Sequence, residues 1–417
     1  MPLVVQKFGG TSVADPERMR AVADHVARTR RRGEDVVVVV SAMGKETDEL
    51  LHLAQQVSST RPGREMDMLI TAGERKAMAL LAMALTDAGC PGQSFTGSQA
   101  GILTDTTHTK ARIVEMRVDR LRDALAAGMT PVIGGAQGVS TDRDITFLGR
   151  GGSDTTAVAI AHALEADACE LYTDVTGVFT ADPRIVTNAR RLGKVSFDEM
   201  LEMCAAGCPK PEMRAVEFAR THGVRLHVRS SFTWEPGTWI QQEDQSMEQA
   251  IISAVIHDAS EVKVTVTRLQ DQPGVAAGLF RALADRNVNL DMIVQNSAAP
   301  DGPAAGTTDI SFTVPQADLA AGLEVCRAYA HDSPGSTVLS DTDIAKVSLI
   351  GAGMKSNPGV AASTFEVLAK EQINIEMIST SPIRISCVVR ASRVEDAVMA
   401  LHQAFGLDSP AATGRVR

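Results

Sequence analysis

A chain of 417 residues exceeds what one hydrophobic core usually supports, so two or three domains are expected. Its formal net charge is −10, and the only basic block of note is Arg28–Arg32, which argues against nucleic acid as a partner. No apolar run reaches the ~18 residues of a membrane span, and the amino terminus lacks the charged-then-apolar layout of a secretion signal. The expectation is a cytoplasmic protein with reduced thiols, because Cys90, Cys169, Cys204, Cys208, Cys326 and Cys387 are scattered without CxxC spacing. Cys204 and Cys208 would share a helix face at i,i+4, but no nearby histidine completes a metal set.

The first element reads as a buried strand, Val4 to Phe8, followed by Gly9-Gly10-Thr11-Ser12 and a helix from Asp15 to Arg32. Asp15 is placed to cap that helix, Pro16 to occupy its first position and Glu17 to sit in the positive first turn. Between strand and helix, Gly9 and Gly10 let backbone N–H groups approach an oxyanion, and Lys7 adds a point charge. This is chemistry for holding phosphate.

Further strands are expected at Val36–Ser41, Gln93–Thr96, Pro131–Gly134, Ala168–Thr173 and Arg225–Ser230, with helices at Met66–Asp87 and Lys110–Ala127. Alternation of this kind predicts an α/β fold, a mostly parallel sheet sandwiched by helices, with ligands at the carboxyl ends of the strands. A second glycine cluster, Gly149-Arg150-Gly151-Gly152-Ser153-Asp154-Thr155-Thr156, leads into an alanine-rich helix expected over 157–163. Arg150 there can bridge two oxygens of a phosphate or carboxylate, and Asp154 can hold a lysine or contact a metal. The segment from Glu170 to Arg184 ends a strand in polar groups and forms a Gly/Asp/Pro-rich loop suited to a nucleotide and its Mg²⁺. Metal ligands themselves stay unassigned.

Pro236-Gly237 and the polar run Gln241–Gln249 mark a change of domain, after which the chain repeats itself. Asp-Gln-Pro-Gly-Val-Ala-Ala-Gly-Leu-Phe from Asp271 matches Ser-Asn-Pro-Gly-Val-Ala-Ala-Ser-Thr-Phe from Ser356. Both copies are expected to run on into a strand, Val288–Ile293 and Ile373–Ile378. Two copies of one small strand–turn–helix–strand module are therefore expected, packed side by side to bury their sheets. After each Pro-Gly turn a helix N-terminus offers free N–H groups to a ligand carboxylate, and Asp271 before the first turn could take the ammonium.

The chain lacks the Walker pattern and the protein-kinase motif set. Lys7-Phe8-Gly9-Gly10-Thr11-Ser12, Val40-Ser41-Ala42-Met43-Gly44, Ala72-Gly73-Glu74-Arg75, the Gly149–Thr156 cluster and Tyr172-Thr173-Asp174-Val175-Thr176-Gly177 together resemble aspartate kinase, in its actinobacterial form, over nearly the whole chain in order. The resemblance implies an amino-acid-kinase domain over 1–240 and two ferredoxin-like ACT modules over 250–335 and 336–417. It implies phosphorylation of L-aspartate by ATP with Mg²⁺, as the first step towards lysine, threonine and methionine. Lys7, Asp154 and Arg150 would be catalytic, with Arg150 on the substrate carboxylate, Glu74 on its ammonium, and Ser41, Thr47, Gly152 and Ser153 completing that site. The nucleotide side would comprise Lys7, Phe8, Gly9, Gly10, Ser41, Thr173, Asp174, Phe179, Asp182, Arg184 and Lys210. A feedback amino acid, lysine or threonine or both, would meet Asp271, Gly274, Val275, Asn289, Gln295, Asn296, Asn374 and Ile375. A homo-oligomer through the ACT modules is implied, and Met247 is placed to start a separate ACT-only chain.

Relatives of this fold act on acetylglutamate, glutamate, carbamate or UMP, so the fold alone does not select aspartate. One departure stands out. Where the family usually reads Gly-Ala-Lys-Val-Leu-His-Pro-Arg-Ala, this chain reads Gly207-Cys208-Pro209-Lys210-Pro211-Glu212-Met213-Arg214-Ala215. Proline occupies the usual lysine position. The resemblance then implies weakened or redirected activity, as in a paralogue of a specialised pathway or an amino-acid sensor, unless Lys210 takes over.

Overall fold

The computed structural model describes residues 1–242, 251–297, 305–331, 333–352, 354 and 357–409. Met247, Ser356 and the polar run from 243 to Gln249 lie outside the described residues. The chain forms two compact units: Met1–Phe179, Arg191–Ala205 and Pro209–Ser246 belong to the first, and Thr180–Arg190, Ala206–Cys208 and Met247–Arg417 to the second.

The first unit is built on an eight-stranded sheet whose order is 194–196, 238–241, 226–230, 168–173, 3–8, 35–40, 130–134, 92–95. All described pairings are parallel except Leu226–Ser230 with Thr238–Gln241. Parallel strands covered on both faces need continuous apolar runs, and Val36 to Val40 supply five valines with no exposure. Leu3–Phe8 lies mid-sheet, with Phe8 opposite Val40 on one side and Tyr172 on the other. The helix Pro16–Arg31 covers one face; its Asp15 side chain accepts from the Arg18 N–H at 2.9 Å, and Arg28, Arg30 and Arg31 occupy its negative end.

A smaller sheet in the same unit has the order 113–116, 102–104, 137–140, 145–147. It corrects the expected helix Lys110–Ala127: the β-branched pair Ile113-Val114 enters an edge strand, and the helix runs only over Asp119–Ala126. The alanine-rich helix starts earlier than expected, at Gly152, because Gly151 caps it at φ +70° and Ser153 to Thr156 lie inside its first turns. The Thr155 and Thr156 hydroxyls donate back to the carbonyls of Gly151 and Gly152, so these residues do not end the turn as caps. The helix Phe197–Ala205 stops before Cys208, which therefore shares no helix face with Cys204. No disulfide forms among the described residues.

The second unit contains two antiparallel four-stranded sheets, ordered 293–297, 307–315, 261–270, 337–341 and 251–258, 344–352, 384–390, 377–381. The internal repeat is visible in how its helices end. Asn287 and Gln372 take φ of +54° and +55°, and the N–H groups of Val288 and Ile373 donate back to Leu283 and Leu368. This is a Schellman closure without glycine, sealed by the buried side chains of Val288 and Ile373. The closure delays the following strands to Ile293–Ser297 and Met377–Ser381, later than Val288–Ile293 and Ile373–Ile378 as expected.

Strand exchange separates spatial modules from sequence order. Ile251–Asp258, which precedes the first copy, pairs with Ile344–Ala352 in the second sheet, and Thr337–Asp341 pairs back into the first. Ala181 and Val186, from the Thr180–Arg190 excursion, pack in the second sheet's core with Val255 and Leu401.

Candidate active site

The turn after the central strand is stitched to both neighbours. Gly9 N–H donates to the Tyr172 carbonyl at 3.2 Å, and Ser41 N–H donates to the Phe8 carbonyl at 3.1 Å. A Cβ on Gly10 would lie 2.8 Å from the Ala42 carbonyl oxygen and 3.0 Å from that of Gly44, so the backbone comes closer here than any other residue allows. Phe8 itself is buried beneath the turn, stacked on Tyr172 with ring centroids 4.8 Å apart.

A cleft of about 330 Å³ opens over these strand ends. The first strand contributes Lys7, Gly9 and Gly10; the second and the segment after it contribute Ser41 and Thr47; Glu74 comes from the long helix Gly63–Asp87. Arg150, Gly152, Ser153 and Asp154 enter from the glycine cluster, and Thr173, Asp174 and Lys210 complete the expected lining. Thr11, Gly44, Gly149 and Gly151, which stand inside the quoted motifs without an individual role, also line it, as do Ala136 and Phe147. Phe147 lies just before the second glycine cluster, where adjacency was the available signal, and no sequence signal marks Ala136.

Lys7 Nζ lies 2.5 Å from Asp154 Oδ1, with side-chain exposures of 8 % and 4 %. Burial alone would raise the Asp154 pKa. The charges of Lys7 and Lys210, with hydrogen bonds from Lys7 and the Glu212 N–H, hold it below the ordinary carboxylate range. Glu74 is the opposite case: burial pushes its carboxyl up to about 7, against N–H groups of Glu74 and Ala42, with Glu46 adding to the rise. Its Oε2 is buried without a hydrogen-bond partner in the structure. A buried carboxyl with an unsatisfied oxygen, in the cleft that Arg150 and the Lys7–Asp154 pair also line, suits a cationic group of a zwitterionic substrate.

The remaining expected residues sit elsewhere. Phe179 is half-buried and bridges to Arg191 outside the cleft lining, while Asp182 and Arg184 belong to the second unit, where they form an ion pair at 2.6 Å. Thr173 Oγ1 donates to Asp174 at 2.9 Å. In the second unit, Gly274 caps the helix Val275–Asp285 at φ +101°, the Asp271 N–H donates to the Gly306 carbonyl, and Gln295 and Asn296 are exposed on Ile293–Ser297. Asn289 and Asn374 precede the strands at equivalent places and are exposed, with Ile375 half-buried beside the latter.

Sequence and structural relatives agree with this architecture. Residues 2–230 match the amino acid kinase family, and 262–328 and 347–405 match an ACT domain. The chain is 55 % identical to the aspartokinase of Mycolicibacterium smegmatis and 52 % identical to that of Corynebacterium glutamicum, each over 98 % of this chain and 97 % of the relative. Among solved structures, aspartate kinase from Synechocystis is 43 % identical, with a TM-score of 0.54 over 97 % of this chain and 69 % of that one. E. coli aspartokinase III in complex with aspartate and ADP shares the fold at a TM-score of 0.78 and 23 % identity, over 97 % and 100 % of the two chains. With half its residues shared over nearly its full length, and with the glycine turns and the buried Lys7–Asp154 pair assembled at the strand ends, the chain belongs to the aspartokinase family of kinases.

Proposed function

We propose that the protein transfers the γ-phosphoryl group of ATP in line to the β-carboxylate of L-aspartate, giving 4-phospho-L-aspartate and ADP. The observation that carries this reading is the buried Lys7–Asp154 pair at the mouth of two glycine turns, facing Glu74 and Arg150 in one cleft. A carboxylate acceptor is already ionised at pH 7, so the reaction needs placement and charge neutralisation rather than a strong base. Lys7 and the Gly9 and Gly10 amides stabilise charge on the transferred group, and Asp154 fixes the direction of the Lys7 ammonium. Arg150 forks onto the substrate carboxylate, Glu74 takes the ammonium, and Ser41, Thr47, Gly152 and Ser153 complete the pocket. Thr173, Asp174 and Lys210 serve the nucleotide, with Phe179, Asp182 and Arg184 assigned to the same side by family resemblance.

No group of three or more His, Cys, Asp or Glu side chains is placed to hold a metal among the described residues. That fits Mg²⁺ arriving on the nucleotide phosphates, since this ion commonly uses one or two carboxylates plus phosphate oxygens, and Asp174 is the exposed carboxylate in the cleft. When bound, the ion supplies neutralisation of phosphate charge.

The reading extends to regulation. ACT modules over 250–335 and 336–417, following a kinase domain over 1–240, would bind lysine, threonine or both and depress activity in a cytoplasmic homo-oligomer feeding lysine, threonine and methionine synthesis. The E. coli aspartokinase III complex with lysine and aspartate is a solved example of a protein of this fold with both ligands. The test is hydroxamate trapping of the acyl phosphate with ATP and L-aspartate, beside glutamate and acetylglutamate as acceptors. Trapped product with aspartate alone is expected. Amino-acid binding without turnover would instead mark the chain as a sensor or a redirected paralogue.

A further inference from the structure

A second cavity in the first unit, about 640 Å³, borders the glycine cluster at Gly149 and Arg150. Lys110, Arg112, Arg150 and Arg214 line it, against the single acidic side chain of Glu217. This concentration of positive charge occurs in a chain whose net charge is −10. Lys110, Arg112 and Arg150 make no side-chain ion pair or hydrogen bond with the described residues, while elsewhere in the unit Arg64, Arg117 and Arg229 all pair with carboxylates. The nearby Asp105 carboxylate is occupied by the N–H groups of Thr107 and Arg112.

The walls are fixed rather than loose. Arg214 donates to the Leu148 carbonyl at 2.7 Å and to the Ala111 carbonyl at 2.8 Å, tying the helix Met213–His222 to both sides of the cavity. The fully buried Asp67 accepts from the Thr109 N–H at 2.9 Å and pairs with His108 at 2.8 Å, anchoring the loop that carries Lys110 and Arg112. Burial first, and then the charge of Arg112, pull the Arg214 pKa down, so the cluster is held together against its own repulsion. Arginine forks that no carboxylate pairs, as at Arg112 and Arg150, match the oxygens of phosphate groups when carried on a rigid frame, and the cavity is in the size range of small-molecule sites.

We propose that this cavity is a second anion site, separate from the Lys7–Asp154 cleft, which binds a chain of two or three phosphate groups. Lys110 and Arg112 are its dedicated cations, and Arg150 is shared with the cleft. Phe218 and Leu148 add an apolar wall against which an organic part can lie. Occupancy would draw Arg150 away from the cleft, so the site would inhibit. The proposal goes beyond the catalytic reading and does not depend on which acceptor the enzyme uses.

The experiment is calorimetric titration of the full-length protein with inorganic tripolyphosphate and, separately, with ADP, in about 0.1 M salt. Lys110→Ala/Arg112→Ala and, as a second variant, Arg112→Glu are compared with the natural chain, and kinetics are run with and without tripolyphosphate. Two binding events per chain are expected for the natural protein. One should weaken at least ~10-fold in both variants, the loss expected from one missing charge contact. Without polyphosphate, kcat and both KM values should stay within about twofold in the double variant, a change too small to signal a lost contact. A second ADP bound per chain would assign the site to nucleotides, and a second event with tripolyphosphate alone to the inorganic chain. A single binding event, or two events unaltered in both folded variants, would overturn the proposal.

Discussion

Lys7 and Asp154 are separated by 147 positions in sequence and by 2.5 Å in space, each nearly closed off from water. A buried pair of this kind responds differently to losing one partner than to losing both. Removing one leaves an uncompensated charge at a cost of about 3–5 kcal/mol, whereas neutralising both avoids that cost. Lys7→Ala should therefore lower stability by an amount of that order, and Lys7→Ala/Asp154→Asn should regain much of it. Activity should not follow stability: both variants should lose at least ~10²-fold in kcat, as when a positioned electrostatic group is removed from a phosphoryl-transfer site. Urea unfolding and steady-state kinetics on the same preparations separate the two effects. Near-normal turnover in the folded double variant would withdraw the catalytic role of the pair.

Glu74 yields a pH prediction with a definite sign. Its carboxyl is raised by burial from 4.5 to about 7 in the folded chain, so between those values only the folded state holds the proton. Its contribution to stability is fully present below about pH 4.5, falls as pH rises, and is gone above about 7, amounting to on the order of 3 kcal/mol. Glu74→Gln should flatten the stability profile across that window. Binding of the aspartate ammonium needs the ionised form, so kcat/KM for aspartate should rise with pH through about 7 in the natural chain. The Glu74→Gln profile should lack this rise. A rise preserved in that variant would show that another group titrates.

How much of this was legible in the sequence differs by element. Strands such as Val36–Val40 declare themselves because a central parallel strand needs apolar residues on both faces, and Asp15-Pro16-Glu17 carries its own cap chemistry. Lys110–Ala127 misled because Lys, Arg and Ala favour a helix locally, whereas Ile113 and Val114 pair with a strand that only the tertiary fold supplies. The late strands after Val288 and Ile373 were hidden by helix closures at Asn287 and Gln372, where no glycine announces the left-handed turn. Strand exchange between the two repeats could not be read at all, since internal similarity reports what a module is and not which neighbour completes its sheet. In the cleft, residue types gave Lys7, Arg150 and Asp154, but the pKa contrast between Asp154 and Glu74 comes from burial that only packing defines.

The two repeats meet through charge as well as apolar packing. Lys346, 1 % exposed on the second sheet, reaches Glu261 at 3.0 Å and Asp291 at 2.5 Å from the first copy. Lys346→Met would leave those carboxylates without this cation and should destabilise the second unit by about 3–5 kcal/mol. Adding Glu261→Gln and Asp291→Asn should recover most of the loss. Calorimetric unfolding of the natural chain and the two variants tests this; a midpoint unchanged by Lys346→Met would show that these buried ion pairs add no net stability.

Lys210 settles whether the altered segment weakens the enzyme. Pro209 stands where the family usually has a lysine, and Pro209 and Pro211 fix φ on both sides of Lys210 while removing two backbone donors, so the loop cannot copy the usual path. The side chain nevertheless lines the cleft with Lys7 and Asp154, and its charge helps to keep Asp154 ionised. A lysine shifted by one residue thus brings positive charge to the region assigned to the nucleotide phosphates. Lys210→Ala should lower kcat/KM for ATP at least ~10-fold, the equivalent of one charge-assisted contact of about 1.4 kcal/mol, and Lys210→Arg should keep part of it. Replacing Cys208-Pro209-Lys210-Pro211-Glu212-Met213 by Ala-Lys-Val-Leu-His-Pro should then gain less than about threefold, because the contact is already made. If Lys210→Ala were silent and the replaced loop gained ~10-fold or more, the phosphate contact would be vacant in the natural chain, and the reading as a weakened paralogue would take precedence.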